Sequence, residues 1–188
     1  MHFAPDTIDA LTFAVDLGNT AGSASRSGLD EIETVEQLAP LLLVYSGRID
    51  GDEAELRAVR ETRDLLREVW SMSRDRAVTA VNAMLRDAQA LPQLVRHDML
   101  DWHLHATSQD APLDERIRVE VALGMVDVIR ADEWWRLRVC AADDCAGLLC
   151  DLSRNGSKRF CSVRCGNRMN MVAFRSRAAA AEDESDVD

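Results

Sequence analysis

Apolar side chains recur at the helical period through most of residues 1–135. Helices are predicted at 8–21, 34–47, 53–72 and 74–91. Thr34 is a candidate N-cap for the second helix. Pro92 ends the fourth helix, because proline lacks the backbone N–H that a helix needs. The pattern therefore predicts a mainly helical domain.

Arg63 lies on the otherwise apolar face of the third predicted helix. A buried guanidinium is costly unless it is paired, so this position requires an anionic partner. We expect Asp16 to be that partner, and an anionic ligand is the alternative.

The period changes from helical to alternating beyond the fourth helix. Apolar and polar residues alternate over 102–106, which predicts a strand, with His103 and His105 on one face. A partner strand at 94–95 and a turn at 97–98 would complete one β-hairpin. We expect the two histidines at surface or half-buried positions, and chelation of a second metal ion by this pair is the alternative.

All five cysteines of the 188-residue chain fall within residues 140–165. A disulfide framework normally spreads cysteines through a chain, so this confinement favours metal binding. Four of them form the pattern C-x4-C-x15-C-x3-C, which suits one tetrahedral zinc ion: Cys140, Cys145, Cys161 and Cys165. Four thiolates would fill the coordination shell, so the zinc would be structural. Four unrelated buried thiols and an iron–sulfur cluster are the alternatives.

The surroundings of the cysteines predict the shape of the module. Ser162 is placed to cap a helix beside Cys161, and a helix N-terminus favours thiolates. Asn155-Gly156 is a hairpin-turn signal between the two cysteine pairs, and we interpret Cys150 as a buried core thiol. About 40 residues bury too small a core, and structural zinc contributes about 10–16 kcal/mol.

These patterns together predict a mainly α fold with one small β-hairpin (α+β). We expect a helical, acidic domain at 1–135, a four-cysteine zinc module of hairpin-plus-helix type at 136–178, and an acidic disordered tail at 179–188. A long helix from Pro112 to Leu137 would lead directly into Cys140 and join the two domains rigidly.

Two motifs resemble a known bacterial family. The run from Asp151 to Arg168, which ends in Cys165-Gly-Asn-Arg, resembles the CGNR zinc finger. Residues 11–20, LTFAVDLGNT, resemble the opening motif of the ABATE domain, with Asn19-Thr20 as its firmest part. The resemblance implies a stress-induced transcription regulator in which the four cysteines hold zinc and the helix from Cys161 reads DNA.

Basic residues are concentrated in the cysteine-rich segment. The net charge of the chain is −11, yet residues 136–177 contain nine Lys or Arg and three acids. Because salt confines charge effects to about 8–10 Å, a local basic patch remains effective on an acidic protein. The candidate nucleic-acid contacts are Arg154, Lys158, Arg159, Arg164, Asn167, Arg168, Arg175 and Arg177.

Other roles are open for the same segment. Asn167 and Arg168 would alternatively support the zinc site through hydrogen bonds. Residues 169–174, Met-Asn-Met-Val-Ala-Phe, form an apolar stretch that suits packing on the helical domain, a second copy of the chain or a partner protein. The alternative to DNA binding is therefore a zinc-stabilised interaction or dimerisation module, or a ligand-binding protein whose finger is only structural.

Several function classes are disfavoured. No apolar run approaches the roughly 18 residues of a membrane span, and the N-terminus does not resemble a signal peptide. No Ser/His/Asp set, phosphate loop or carboxylate pair stands out, so we expect no enzyme. We expect a cytoplasmic protein without a membrane partner, whose helical domain senses a small molecule or contacts another protein.

Overall fold

The computed structural model describes residues 3–96 and 101–185, with side chains through residue 178. Six α-helices occur in these residues: α1 Pro5–Gly18, α2 Val35–Leu38, α3 Glu53–Trp70, α4 Arg74–Asp87, α5 Leu113–Arg130 and α6 Val163–Ser185. The strands pair as two antiparallel hairpins: β1 Gln93–Val95 with β2 His103–His105, and β3 Leu137–Val139 with β4 Leu148–Cys150. The predicted α+β class, mainly helical with small hairpins, is confirmed. No helix in the described ranges is long and apolar enough to cross a membrane.

Helix α5 is the centre of the core, because α1, α3 and α4 all pack against it. Its residues Ile117, Val121, Met125 and Val128 are fully buried, which explains its apolar composition. The predicted cap of α2 is confirmed: Thr34 and Gln37 form a capping box, and a 3-10 helix at Ala39–Val44 completes that predicted helix.

The prediction of one long helix from Pro112 to Leu137 is wrong at its C-terminal end. Helix α5 stops at Arg130, and Asp132 adopts a left-handed backbone with a φ of 59°. The turn buries Trp134, whose indole N–H donates to the Met72 carbonyl at 2.9 Å. Leu137 then begins strand β3, so the domains are joined by a sharp turn and a hairpin.

The first hairpin has the predicted strands, with Leu94 opposite Leu104. Its faces, however, are the reverse of what the apolar pattern suggested. His103 is 7% exposed, whereas Leu104 is 39% and Trp102 63% exposed. The expectation of surface or half-buried positions is therefore wrong for His103, which is buried, whereas His105 is half-buried as expected. The turn predicted at 97–98 lies outside the described residues.

The second hairpin encloses the first pair of cysteines, whereas we predicted a hairpin between the two pairs. Leu137 pairs with Cys150, and the Cys140 N–H donates to the Gly147 carbonyl at 2.7 Å. Asn155-Gly156 lies in a separate turn beyond β4, where the Gly156 N–H donates to the Ser153 carbonyl. Strand β4, which follows Cys145, pairs antiparallel with β3, because the apolar residues of β4 are buried against the helical domain.

The C-terminal helix is longer than predicted. Residues 179–185, which we expected to be disordered, continue α6 to Ser185. The described backbone therefore runs away from the zinc module without turning back on it.

Arg63 pairs with Asp30, so the expectation that Asp16 is its partner is wrong. The Arg63 guanidinium donates to both carboxylate oxygens of Asp30, at 2.8 and 2.9 Å, and to the Thr20 hydroxyl at 3.3 Å. Arg63 is 4% exposed, and its hydrogen bonds hold the pKa of Asp30 below the ordinary carboxyl value. This ion pair fixes the long loop after α1 against α3.

We predict that Arg63→Ala lowers the free energy of unfolding by about 3 kcal/mol, because it removes the two-point partner of the partly buried Asp30 carboxylate and leaves it only the 3.2 Å contact with Arg60 as an ion pair. Chemical denaturation measures the change. Arg57→Ala removes an exposed arginine from the same helix and is the matched control, expected to change stability by less than about 0.5 kcal/mol. A loss for Arg63→Ala no larger than that of the control would contradict the assignment.

Candidate metal centre and nucleic-acid interface

The four predicted cysteines converge. Their Sγ atoms all lie within 4.8 Å of one another, with 3.6 Å between Cys145 and Cys161 and 3.8 Å between Cys161 and Cys165. A tetrahedral zinc ion with Zn–S bonds of about 2.3 Å requires sulfur atoms about 3.8 Å apart. The thiol set therefore fits one zinc ion. In the described ranges, no other group of three or more His, Cys, Asp or Glu donors converges as closely.

The first cysteine pair is held in a tight turn between β3 and β4. The Gly147 N–H points at the Cys145 sulfur at 3.4 Å, and the Cys161 N–H points at the Cys140 sulfur at 3.5 Å. A Cβ atom on Gly147 would lie 2.7 Å from the Cys161 sulfur, so only glycine fits here. These N–H groups favour thiolates and orient them toward a common centre.

The second pair lies at the start of α6, as predicted. The Ser162 hydroxyl accepts the Cys165 N–H at 3.2 Å and caps the helix. Burial and the neighbouring thiols raise the pKa of Cys161. Burial also acts to raise the pKa of Cys165, but hydrogen bonds from Ser162 and the thiols hold it below its usual value. Four adjacent thiols resist joint ionisation, and a bound zinc ion supplies the positive charge that they need.

Cys150 is separate from this cluster. Its side chain is buried among core residues, and burial raises its pKa to about 11. The prediction that Cys150 is a core thiol is confirmed.

The zinc module is docked on the helical domain through Asn19. The Asn19 side-chain amide donates to the Leu148 carbonyl at 3.0 Å and accepts the Leu148 N–H at 2.7 Å. Arg67 donates to the carbonyls of Gly18 and Ala146, at 2.6 and 3.0 Å. The Trp70 indole donates to the Arg138 carbonyl at 3.2 Å. Strands β3 and β4 are thus hydrogen-bonded to the ends of α1 and α3.

The basic loop after β4 is organised by a buried carboxylate. Asp151 is 0% exposed and accepts hydrogen bonds from the Ser153 N–H, the Ser153 hydroxyl and the Lys158 N–H. Burial opposes ionisation of Asp151, but these hydrogen bonds hold its pKa below the usual carboxyl value. Hydrogen bonds to the buried Asp151 carboxylate therefore hold the loop from Asp151 to Lys158 in one conformation, and the other charged side chains of the loop are exposed to solvent.

Two arginines of the hairpin add to this closure. Arg136 donates to the carbonyls of Asp151 and Ser153, and Arg138 donates to the carbonyls of Gly156 and Lys158. Both guanidinium groups stack on the Trp135 ring, at 4.4 and 5.2 Å from its centroid. Gly156 approaches the same ring so closely that a Cβ atom would lie 2.2 Å from it. The hydrogen bonds of Arg136 and Arg138 are therefore used to hold the backbone of the loop.

The candidate nucleic-acid contacts are exposed, except for the half-buried Arg168: Arg154, Lys158, Arg159, Arg164, Asn167, Arg175 and Arg177. Within the described residues, the side chains of two of the eight donate hydrogen bonds to the protein. Arg164 donates to the Arg26 carbonyl at 2.9 Å, whereas Arg168 donates to Asp144 at 2.5 Å and contacts the Cys165 sulfur at 3.7 Å. These contacts of Arg168 agree with the alternative interpretation of this residue, in which it supports the zinc site through hydrogen bonds instead of contacting DNA.

The basic residues of α6 do not all share one face. At about 100° per residue, Arg164, Arg168 and Arg175 fall within about 40° of one another, whereas Arg177 lies about 160° from Arg175. Met171 lies on the face of the three arginines, and it is 52% exposed. This face is therefore mixed in character, both basic and apolar.

Sequence reasoning missed the residues that fix the loop, namely Asp151, Trp135, Arg136 and Arg138. Two signals were available. Arg136 just before β3 and Arg138 within it are two residues apart beside an exposed tryptophan. An aspartate starts the Asp-Leu-Ser-Arg-Asn-Gly turn, where its carboxylate caps backbone N–H groups. Neither signal identifies the partner carbonyls, which are 15 to 20 residues away.

Two family sequence patterns match the chain. The ABATE family, described as "Putative stress-induced transcription regulator", matches residues 11–151. The CGNR zinc finger matches residues 136–178. No curated protein matches the chain significantly.

We predict that the purified protein holds one zinc ion per chain and that Cys145→Ser abolishes stoichiometric binding, because three thiolates leave the tetrahedron open. Metal content is measured by elemental analysis, and the fold of the module by circular dichroism before and after chelation. Cys150→Ser is the matched control and should retain one zinc. Loss of zinc from both variants alike, or from neither, would contradict the ligand assignment.

Proposed function

Because this chain belongs to the ABATE family and carries a CGNR zinc finger, we propose that it is a transcription regulator that binds DNA through the finger. The observation that carries the proposal is the fixed basic loop, which is closed by Asp151 and leaves Arg154, Lys158 and Arg159 exposed on one short segment. Preformed loops lose little conformational entropy on binding, so such a segment suits a regularly spaced phosphate backbone.

The loop lies beside the first turns of α6. Arg159 stacks on Phe160, 5.5 Å from the ring centroid, and the Phe160 ring is 3.4 Å from the Cβ position of Gly166. Asn167 is the next residue along and is exposed. We propose that the three basic loop residues contact phosphates while Asn167 and Arg175 face the bases, since an asparagine amide can pair with adenine.

Arg164 and Arg168 take a different part in this proposal. Their hydrogen bonds to the Arg26 carbonyl and to Asp144 hold α6 against the helical domain and the zinc turn. They orient the helix, and their charge adds to the local field. Arg177 lies on the opposite side of α6 and contributes only weakly.

We further propose that the zinc ion is structural and that the protein acts in the cytoplasm without catalysing a reaction. Four thiolates leave no position for a substrate or a catalytic water. Support for the regulator role comes from the family match, and the helical domain would then sense a ligand or contact a partner.

A second candidate function is dimerisation through α6. Three neighbouring apolar side chains are exposed in the middle of this helix: Met171 at 52%, Val172 at 49% and Phe174 at 60%. They span about 160° of the helix circumference at about 100° per residue, an apolar face wide enough for a helix–helix contact. Dimerisation is also compatible with DNA binding, because a symmetric dimer can contact two half-sites.

We predict that the full-length, zinc-loaded protein binds a fluorescent random-sequence duplex with an affinity that falls steeply as salt rises. Replacing Arg154, Lys158 and Arg159 together by Ala removes three phosphate contacts. The slope of log affinity against log salt should therefore decrease by about 3. Fluorescence anisotropy at four salt concentrations measures it.

The matched control replaces Arg57, Arg76 and Arg86 by Ala, which removes the same charge from exposed positions on α3 and α4. The control should keep the wild-type slope. Equal loss in both variants would indicate a general charge effect, and absence of salt-sensitive binding in every sample would reject the DNA proposal.

Sedimentation of the wild type and of a Met171→Ser/Phe174→Ser variant tests dimerisation. We expect a dimer for the wild type and a monomer for the variant, and dimerisation is rejected if both are monomers.

A further inference from the structure

A large cavity lies in the helical domain, away from the zinc module. It has a volume of about 690 Å³ and is enclosed by α1, the segment 40–46, strand β2 with the residues after it, and α5. Pockets of about 300–1,000 Å³ are typical of small-molecule sites. The finger and its basic loop contribute no residue to its wall.

The histidines of β2 form one side of the cavity. The Nε2 atoms of His103 and His105 are 3.0 Å apart, and the Nδ1 atom of His103 lies 2.8 Å from the Asp101 carbonyl. These contacts fix both rings.

Carboxylates dominate the charge of the wall. Five line the cavity: Asp6, Asp9, Asp16, Glu120 and Asp127. Arg116 is the one arginine or lysine among the lining residues of the described chain. Its guanidinium donates to the backbone carbonyls of Ser46, Arg48 and Ala111, so its hydrogen bonds join the loop before α3 to the segment before α5.

Glu120 of α5 lies in the cavity wall beside Tyr45. Burial raises the pKa of Glu120, and this effect outweighs the opposing influence of Tyr45, Arg116 and His103. Burial also raises the pKa of Tyr45, with a further contribution from the Glu120 carboxylate. The surroundings of Glu120 therefore leave its negative charge only partly compensated.

The wall also has an apolar and aromatic part. Phe13 and Tyr45 meet edge to face with their ring centroids 4.9 Å apart, and Leu41 and Leu123 lie in the same lining. Aromatic faces attract cations and also contact apolar groups. A ligand with a charged end and an apolar body would satisfy both halves of the cavity.

We infer that this cavity binds a small organic cation, such as an arylalkylamine, with its ammonium group at Glu120 and Asp16 and its apolar body against Phe13 and Tyr45. An anion is opposed by the carboxylates, whose field a low-dielectric cleft concentrates. A second metal ion at His103 and His105 would need a third close donor, and within the described ranges only the cysteine cluster brings three donors together.

The test is calorimetric titration of the full-length, zinc-loaded protein with three probes of similar shape: 2-phenylethylamine, 2-phenylethanol and 3-phenylpropionate. They differ chiefly in charge, which is positive, zero and negative in turn. We expect the amine to bind at least about tenfold more tightly than the alcohol, and the carboxylate not to bind, as charge pairing in a partly buried site requires.

Glu120→Gln and Asp16→Asn should each weaken binding of the amine by about tenfold while leaving the alcohol unchanged. Asp16 is exposed, so Asp16→Asn keeps the test valid if Glu120→Gln disturbs folding. Asp75→Asn removes the same charge from α4, outside the cavity wall, and should bind the amine as the wild type does.

Three results would overturn the inference. The first is binding of the alcohol or the carboxylate as tightly as the amine, and the second is no heat from the amine at millimolar concentration. The third is equal weakening by Asp75→Asn and Asp16→Asn, which would indicate screening rather than a site. DNA binding does not enter these measurements, so their outcome is independent of the proposed function.

Discussion

The position of the zinc module depends on one side-chain amide. Asn19 donates to the Leu148 carbonyl and accepts the Leu148 N–H, so it completes the outer edge of β4 in place of a third strand. An unpaired peptide group in this buried contact would cost about 1–3 kcal/mol. Arg67 and Trp70 add hydrogen bonds to neighbouring carbonyls. These hydrogen bonds therefore hold the finger in one position on the surface of the helical domain.

This arrangement gives helix α1 two roles. Its middle turns form one wall of the acidic cavity, and Asn19 follows directly after its last residue. The loop beyond Asn19 is held by the Arg63–Asp30 pair, and that loop supplies the Arg26 carbonyl that accepts from Arg164 of α6. Helix α1 and the loop that follows it therefore contact the cavity, the zinc hairpin and α6 in turn. We expect a bound metal ion to stabilise the finger as well, because the finger itself buries only a small cluster around Cys140 and Cys165.

Local chemistry was predictable from the sequence where it acts over a few residues. The helical period, the Thr34 cap, the Ser162 cap and the spacing within each cysteine pair all depend on neighbours within one or two turns. The convergence of the two pairs was predictable because one tetrahedral metal ion requires four donors. Predictions that needed distant partners failed. The partner of Arg63 is 33 residues away, and the hairpin pairing of Cys150 with Leu137 depends on burial against α1. The inward histidines of β2 follow from a polar cavity that no local pattern reveals.

The central claim, that Asn19 holds the zinc hairpin on the helical domain, is tested most directly by hydrogen exchange of the Leu148 amide. In Asn19→Ala the protection of this amide should fall at least about tenfold more than that of Val121 in the core of α5, because only the local contact is lost. Asn82→Ala, at an exposed position on α4, should leave both amides unchanged. Protection of Leu148 that stays at its wild-type value, or falls only in parallel with Val121, would contradict the account.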